Sequence, residues 1–193
     1  MAETLYDLTG TKGTVICFHG KNMWGDVRGW KNGEQAAFLL GLKEAGLSYV
    51  VPPSAQGKWN EQESARNPDI MSVDKVAKDL GAKPPYYLVG VSNGGGFATK
   101  YAIYGAFKPN AVQYSISGGT GPLLRDAKYV FPSIFCYSQK DPSIRYSRLR
   151  RVMDALIARG IPVAENDLTA MVGKEHKFIN TAPYTSAQFL LYP

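Results

Sequence analysis

Apolar residues along this chain fall into two alternating patterns. The first is a short run in which nearly every position is apolar or β-branched. Residues 14–18 (TVICF), 47–51 (LSYVV), 86–91 (YYLVGV), 111–117 (AVQYSIS) and 133–138 (SIFCYS) are of this kind. Runs of that length, rich in Val, Ile, Tyr and Phe and bounded by Gly, Pro or polar residues, predict strands. Residues 162–171 (PVAENDLTAM) predict a sixth strand. The second pattern repeats with helical spacing, at residues 34–45 (EQAAFLLGLKEA), 72–80 (SVDKVAKDL), 93–104, 145–159 (RYSRLRRVMDALIAR) and 185–192 (TSAQFLLY). Ser72 reads as the cap of the second helix and Gly81 as its stop, while Gly160 ends the basic one.

Strands that alternate with helices predict an α/β fold, a mostly parallel sheet of six strands with helices on both faces. The sequence contains no repeat, low-complexity segment or linker, so residues 1–193 read as a single domain. The polar tract at 52–71 is long for a connection, and long connections are often functional. It reads as an elaboration of the same domain.

Composition narrows the function classes. Hydrophobic residues make up 45% and charged residues 20%, a balance that permits a packed core and argues against disorder. No apolar run is long enough for a membrane span. The opening MAETLYDLTG lacks the basic start and apolar core of a secretory signal, and the expected location is therefore cytoplasmic. The net charge of +6 suits an anionic partner. Its main cluster, residues 145–159, shows no pattern of alternating aromatic and basic residues and reads as a solvated helix face rather than a nucleic-acid surface. Cys17 and Cys136 sit inside strand-like runs, and no Cys/His cluster has metal-ligand spacing. No metal or cofactor is expected.

The residues that follow the strands carry the chemistry, because ligands in such sheets bind beyond the carboxyl ends of the strands. After the first strand comes His19-Gly20-Lys21-Asn22, and after the third, Gly90-Val91-Ser92-Asn93-Gly94. After the fifth comes Asp141, and after the sixth, His176. A serine hydroxyl is a weak nucleophile until a base takes its proton. The chain has only two histidines. An acid is then needed to fix the base's tautomer. Asp141 is the favoured acid and Asp167, at the sixth strand, its competitor. Asp126 and Asp154 are less well placed.

With these motifs in order, the chain resembles the α/β-hydrolase superfamily over most of its length. The resemblance implies a strand order of 2-1-3-4-5-6. It makes Gly90-Val91-Ser92-Asn93-Gly94 a nucleophile elbow, a sharp strand-to-helix turn that exposes Ser92. It assigns His176 as general base and gives His19 a structural role beside the oxyanion loop. The oxyanion donors would be the backbone N–H groups of Asn93 and Lys21, with Asn22 the weaker alternative. The Asn93 side chain could instead cap the following helix.

Trp24 and Trp59 are weak candidates for substrate contact, as is Asn22. Met23 and Trp30 lie in similar loops. Where the superfamily often inserts a cap, between the fourth and fifth strands, this chain has only GGTGPLLRDAKYVFP, so an open, lidless site is expected. The implied strand order places Cys17 and Cys136 three strand spacings apart, roughly 14 Å, which excludes a disulfide. The elbow also resembles those of small carboxylesterases, feruloyl or acetyl-xylan esterases and phospholipase-type esterases. The implied activity is hydrolysis of a small-molecule or polymer-linked carboxylic ester. Amide or thioester hydrolysis by the same residues remains open, as does a binding protein on the same scaffold. The sequence leaves the oligomeric state open.

Overall fold

The structure, a computed structural model, describes residues 3–20, 27–54 and 57–193. Among these, seven strands form one sheet: β1 (Leu5–Asp7), β2 (Thr14–Phe18), β3 (Ser48–Val51), β4 (Tyr86–Val91), β5 (Ala111–Ser115), β6 (Ser133–Tyr137) and β7 (Val163–Asp167). Their order is β1-β3-β2-β4-β5-β6-β7. The six parallel strands follow the expected order. The seventh is an addition: β1 pairs antiparallel with β3 at the sheet edge. Its three residues are too few to show an apolar pattern, and none of them is fully buried.

The helices are α1 (Gly33–Glu44), α2 (Pro68–Asp79), α3 (Asn93–Tyr104), α4 (Gly121–Leu124), α5 (Tyr146–Ala158), α6 (Thr169–Val172) and α7 (Ala182–Phe189). Alternation along β2 shows how the sheet is covered. Val15 and Cys17 point into a core with Phe38, Leu39 and Leu42 of α1 and Ala182 and Phe189 of α7. Ile16 and Phe18 point into the opposite core, built by α2, α3 and α5 through Val73, Phe97, Tyr101, Leu149 and Met153. Period-two alternation with both faces covered is why every residue of β2 is buried and the run reads as continuously apolar.

Helix α2 begins four residues before the sequence reading placed it. Its cap is Asn67, not Ser72: the Asn67 side chain accepts from the N–H groups of Asp69 and Ile70, and Pro68 occupies the first turn. An Asn-Pro pair is a strong helix start, because the proline lacks an N–H that the first turn could not bond anyway. Trp30, read as a loop residue, belongs to a 3-10 turn (Val27–Lys31) and is buried in the core at 1% exposure.

Cys17 and Cys136 are both free and buried, on strands three spacings apart. Burial pushes the Cys136 thiol up to about 12 and the Cys17 thiol up as well, so neither is a ready nucleophile. The connection between β5 and β6 contains only the four-residue α4, and no multi-helix cap is inserted there. Among the described residues, no helix is long and apolar enough to cross a membrane.

Candidate active site

The parallel strands end in register. Phe18 of β2 lies opposite Gly90, Val91 opposite Ser115, Ser115 opposite Cys136 and Tyr137 opposite Asp167. Whatever follows β2, β4, β5, β6 and β7 therefore emerges along one rim of the sheet. Of the residues singled out from the sequence, Ser92, Asn93, Asp141, His176, His19 and Trp59 gather there.

Ser92 stands between β4 and α3 with φ 51° and ψ −115°. A residue with a Cβ adopts positive φ only at a cost, so the surroundings must enforce it. They do so by hydrogen bonding and by close approach. The Ser92 N–H donates to the Ser115 carbonyl at 3.0 Å, and its carbonyl accepts from the Gly95 N–H at 3.0 Å. A Cβ on Gly90 would lie 2.4 Å from the Gly95 Cα, and one on Gly94 would lie 2.4 Å from the Phe18 carbonyl oxygen. Gly90 thus lets the first turn of α3 close against β4, and Gly94 lets the elbow close against β2. The serine occupies the cap position of α3, yet its side chain makes no cap bond.

The Ser92 hydroxyl instead meets His176. Oγ lies 2.9 Å from Nε2, and the opposite ring nitrogen, Nδ1, lies 2.7 Å from Asp141 Oδ2. A carboxylate accepts, so Nδ1 carries the proton and Nε2 is free to accept from the serine. Asp141 is held on its other oxygen by the N–H groups of Ser143 (2.8 Å) and Ile144 (3.3 Å). Its side chain is wholly buried, whereas the His176 side chain is 27% exposed. The acid is fixed and dry while the base opens to the cleft. Asp167 is elsewhere: its oxygens accept from the Thr169 N–H and hydroxyl and from the Gln139 amide.

His19 packs its ring 4.7 Å from that of Trp59, and its Nδ1 donates to the Gly20 carbonyl at 2.8 Å. Its own carbonyl accepts from the Trp59 indole N–H at 2.8 Å. Trp59 also stacks on Phe97 at 4.3 Å and is 2% exposed. The indole is thus chiefly a core group that pins the segment after β2, though one edge faces the cleft. The Asn93 carboxamide does not cap α3. It accepts from the Trp59 backbone N–H at 3.4 Å, joining the elbow to the 52–71 tract. Lys21, Asn22, Met23 and Trp24 lie outside the described residues.

Beside Ser92 is a cavity of about 400 Å³, lined among others by Trp59, Asn93, Phe97, Lys100 and Thr120. Sequence reasoning missed Lys100. It lies on α3 with its ammonium donating to the Glu61 carbonyl at 2.7 Å, and burial holds its pKa below the ordinary lysine value. Its position two helical turns beyond Ser92 was a readable signal. No cluster of His, Cys, Asp and Glu among the described residues could hold a metal ion.

No protein-family model matches the chain, and no curated protein matches it in sequence. Solved structures do match in shape. Esterase PE8 aligns with a TM-score of 0.70 at 15% identity, covering 100% of this chain and 98% of that one. Est1E from Butyrivibrio proteoclasticus, also solved with ferulic acid bound, aligns at 0.68 and 13% identity over 98% of this chain and 93% of its own in that complex. FphF, a fluorophosphonate-binding serine hydrolase of Staphylococcus aureus, aligns at 0.66 and 11% over 95% and 86%. At such identities the likeness concerns the fold, and together with the sheet order it establishes that this chain has the α/β-hydrolase fold.

Proposed function

We propose that the protein is a serine hydrolase that cleaves carboxylic esters. The observation that carries this reading is the continuous line Ser92 Oγ–His176 Nε2–His176 Nδ1–Asp141 Oδ2, with spacings of 2.9 and 2.7 Å and the serine held at positive φ. Esterases of the same fold support the choice of bond.

Ser92 Oγ attacks the ester carbonyl while its proton passes to His176 Nε2. The imidazolium that forms is stabilised by the buried Asp141 carboxylate. The negative oxygen of the tetrahedral intermediate is met by the backbone N–H of Asn93, the residue after the nucleophile. Collapse expels the alcohol, which takes the proton back from His176. A water molecule, deprotonated by His176, then attacks the acyl carbonyl; the bond to Ser92 Oγ breaks, the acid leaves and Oγ takes the proton back from His176. No step calls for a metal or cofactor. Asn93 also positions Trp59 through its side chain, so one residue links the oxyanion site to the cavity wall.

The test is hydrolysis of 4-nitrophenyl esters from acetyl to palmitoyl by the wild type and by Ser92→Ala. Turnover by the wild type and a loss of several orders of magnitude in the variant are expected. The chain length preferred by the wild type sizes the acyl pocket. If esters are inert but thioesters or amides turn over, the same residues serve another acyl bond.

A further inference from the structure

A second cavity, of about 580 Å³, adjoins the Ser92 cavity, and Gly119 lines both. Its wall continues along Pro142 and Ser143, the two residues after Asp141, and onto the first turns of α5. Four arginines line it: Arg125, Arg145, Arg148 and Arg151. Leu149, Ile144 and Val152 supply apolar surface between them. The solvated face read from the sequence is therefore one wall of a groove leading from the reacting serine.

No carboxylate lines the groove among the described residues. Among the described residues, none of the four guanidinium groups has an acidic partner. Arg125 donates to the Gly121 carbonyl and Arg151 to the Ser147 carbonyl. The neighbouring acids are all engaged elsewhere. Asp141 is buried against His176, Asp126 accepts from the Lys128 N–H, and Asp154 and Glu165 pair with Arg150. Arg150 lies on the same helix but outside the groove, so pairing and groove-lining separate along α5.

Helix polarity gives an independent argument. The N-terminal end of a helix is the positive end of its dipole and favours acidic side chains. Helix α5 has no acidic residue in its first turn, and Arg145 occupies its cap position without a side-chain cap bond. Arg148 follows within that turn. Cations placed at this end oppose helix stability. Three arginines and the helix dipole all present positive potential to one apolar-walled groove, an arrangement that favours a bound anion.

We propose that this groove is a substrate subsite for an anionic group, a carboxylate or a phosphate, carried on an apolar stem of the ester. This rests on Ser92 being the reacting group. The arginines hold the oxyanionic end while the stem crosses Leu149, Ile144 and Val152 toward Gly119 and Ser92. Arginine suits the task because its planar fork binds carboxylate and phosphate oxygens in pairs.

The experiment compares ester pairs that differ in one charge. With the charge on the acyl side, the pair is mono-4-nitrophenyl adipate and 4-nitrophenyl hexanoate, with 4-nitrophenyl 6-phosphonooxyhexanoate as the phosphate arm. With the charge on the alcohol side, the pair is the hexanoyl ester of 4-hydroxybenzoate and phenyl hexanoate. In the wild type, kcat/KM favours the anionic member of at least one pair. Arg148→Ala combined with Arg151→Ala should lower that anionic-to-neutral ratio roughly tenfold or more. Ratios that the double variant leaves in place, or a wild type with no preference for the charged member in either pair, would overturn the subsite. A fall shared equally by charged and neutral esters would do the same. The comparison between adipate and phosphate arms identifies the anion.

Binding is measured separately, from the rise in Tm produced by hexanoate and by hexyl phosphate. If no ester is hydrolysed by the wild type, the catalytic reading fails and this measurement alone decides the groove. Stabilisation of the wild type that is lost in Arg148→Ala/Arg151→Ala supports an anion site, and no stabilisation of either protein rejects it. Lys128→Ala, a substitution of a basic residue outside the groove, controls for net charge.

Discussion

Two strand ends on the same rim present an aspartate, and they do different things. Asp141 follows β6, and Asp167 ends β7. Locally they are close relatives: each accepts a hydrogen bond from the backbone N–H two residues on, of Ser143 and of Thr169, at 2.8 and 2.9 Å. Such Asx turns are a property of the tripeptide and say nothing of function. The difference lies in the second oxygen. That of Asp141 is buried and faces the His176 ring, whereas Asp167, on the exposed side, takes the Gln139 amide. An aspartate becomes the partner of a base through burial and the direction of its second oxygen, both set by tertiary packing.

The largest way to test that contrast is to remove one charge at a time. Asp141→Asn keeps the shape but offers His176 an amide in place of a carboxylate. It should lower kcat on esters by on the order of a thousandfold or more, with a much smaller change in KM. Asp167→Asn should leave kcat/KM within about twofold and stability within roughly half a kcal/mol. Equal losses in the two variants would show that Asp141 is merely a structural turn residue. The experiment is steady-state kinetics on the best 4-nitrophenyl ester, with Tm recorded for both.

A second perturbation moves the serine rather than the acid. Gly94→Ala places a methyl group 2.4 Å from the Phe18 carbonyl oxygen and 2.5 Å from that of His19. Backbone atoms must give way, at a cost of about 1–3 kcal/mol for a small overpacking change. Thermal unfolding should show Tm lowered by several degrees. Activity should fall further than stability accounts for, because β2 and the elbow separate and the Asn93 N–H leaves its place. An alanine variant with wild-type Tm and kcat would mean that the close approach is unimportant.

These contrasts also explain what could be read from the sequence. The elbow was legible because its causes are covalently local: a buried run, two glycines and a helix follow one another between Tyr86 and Tyr104. The parallel sheet was legible from the alternation of runs, and its strand order from the resemblance to the α/β-hydrolase superfamily. The start of α2 lies at Asn67-Pro68 rather than at Ser72 because the Asn67 side chain caps the N–H groups of Asp69 and Ile70, a signal that the polar tract around it obscures. Strand β1 escaped because three edge residues have no periodicity to detect. Asp141 is favoured over Asp167 by its place after the fifth strand and not by its local sequence, since both tripeptides encode the same turn. The arginines of α5 read as solvated because nothing along the chain reveals that residues 118–125 fold back against them to make a groove.

A third aspartate extends the comparison to its smallest effect. Asp7 ends β1 in Asp7-Leu8-Thr9, the same tripeptide as Asp167-Leu168-Thr169. It repeats the turn, accepting from the Thr9 N–H at 2.9 Å and hydroxyl at 2.6 Å, and adds the Lys43 ammonium of α1 at 2.7 Å. The Lys43 hydrogen bond, followed by those from Thr9, lowers its carboxyl to about 2. At Asp167 burial pulls the carboxyl up, but the Thr169 and Gln139 bonds outweigh it and the group also titrates below its ordinary value. A carboxyl depressed in the folded state adds stability that is complete above its unfolded value, near 3.8 for Asp7, and is lost as pH falls through about 2. Lys43 is half exposed and β1 is a short edge strand, so solvent screening keeps the contribution small. Asp7→Asn should therefore lower Tm by no more than a degree or two near neutral pH, and the gap should close as the pH approaches 2. A gap that persists unchanged at low pH would mean that the carboxylate's charge is irrelevant and only the turn matters, which would make Asp7 equivalent to its neutral form.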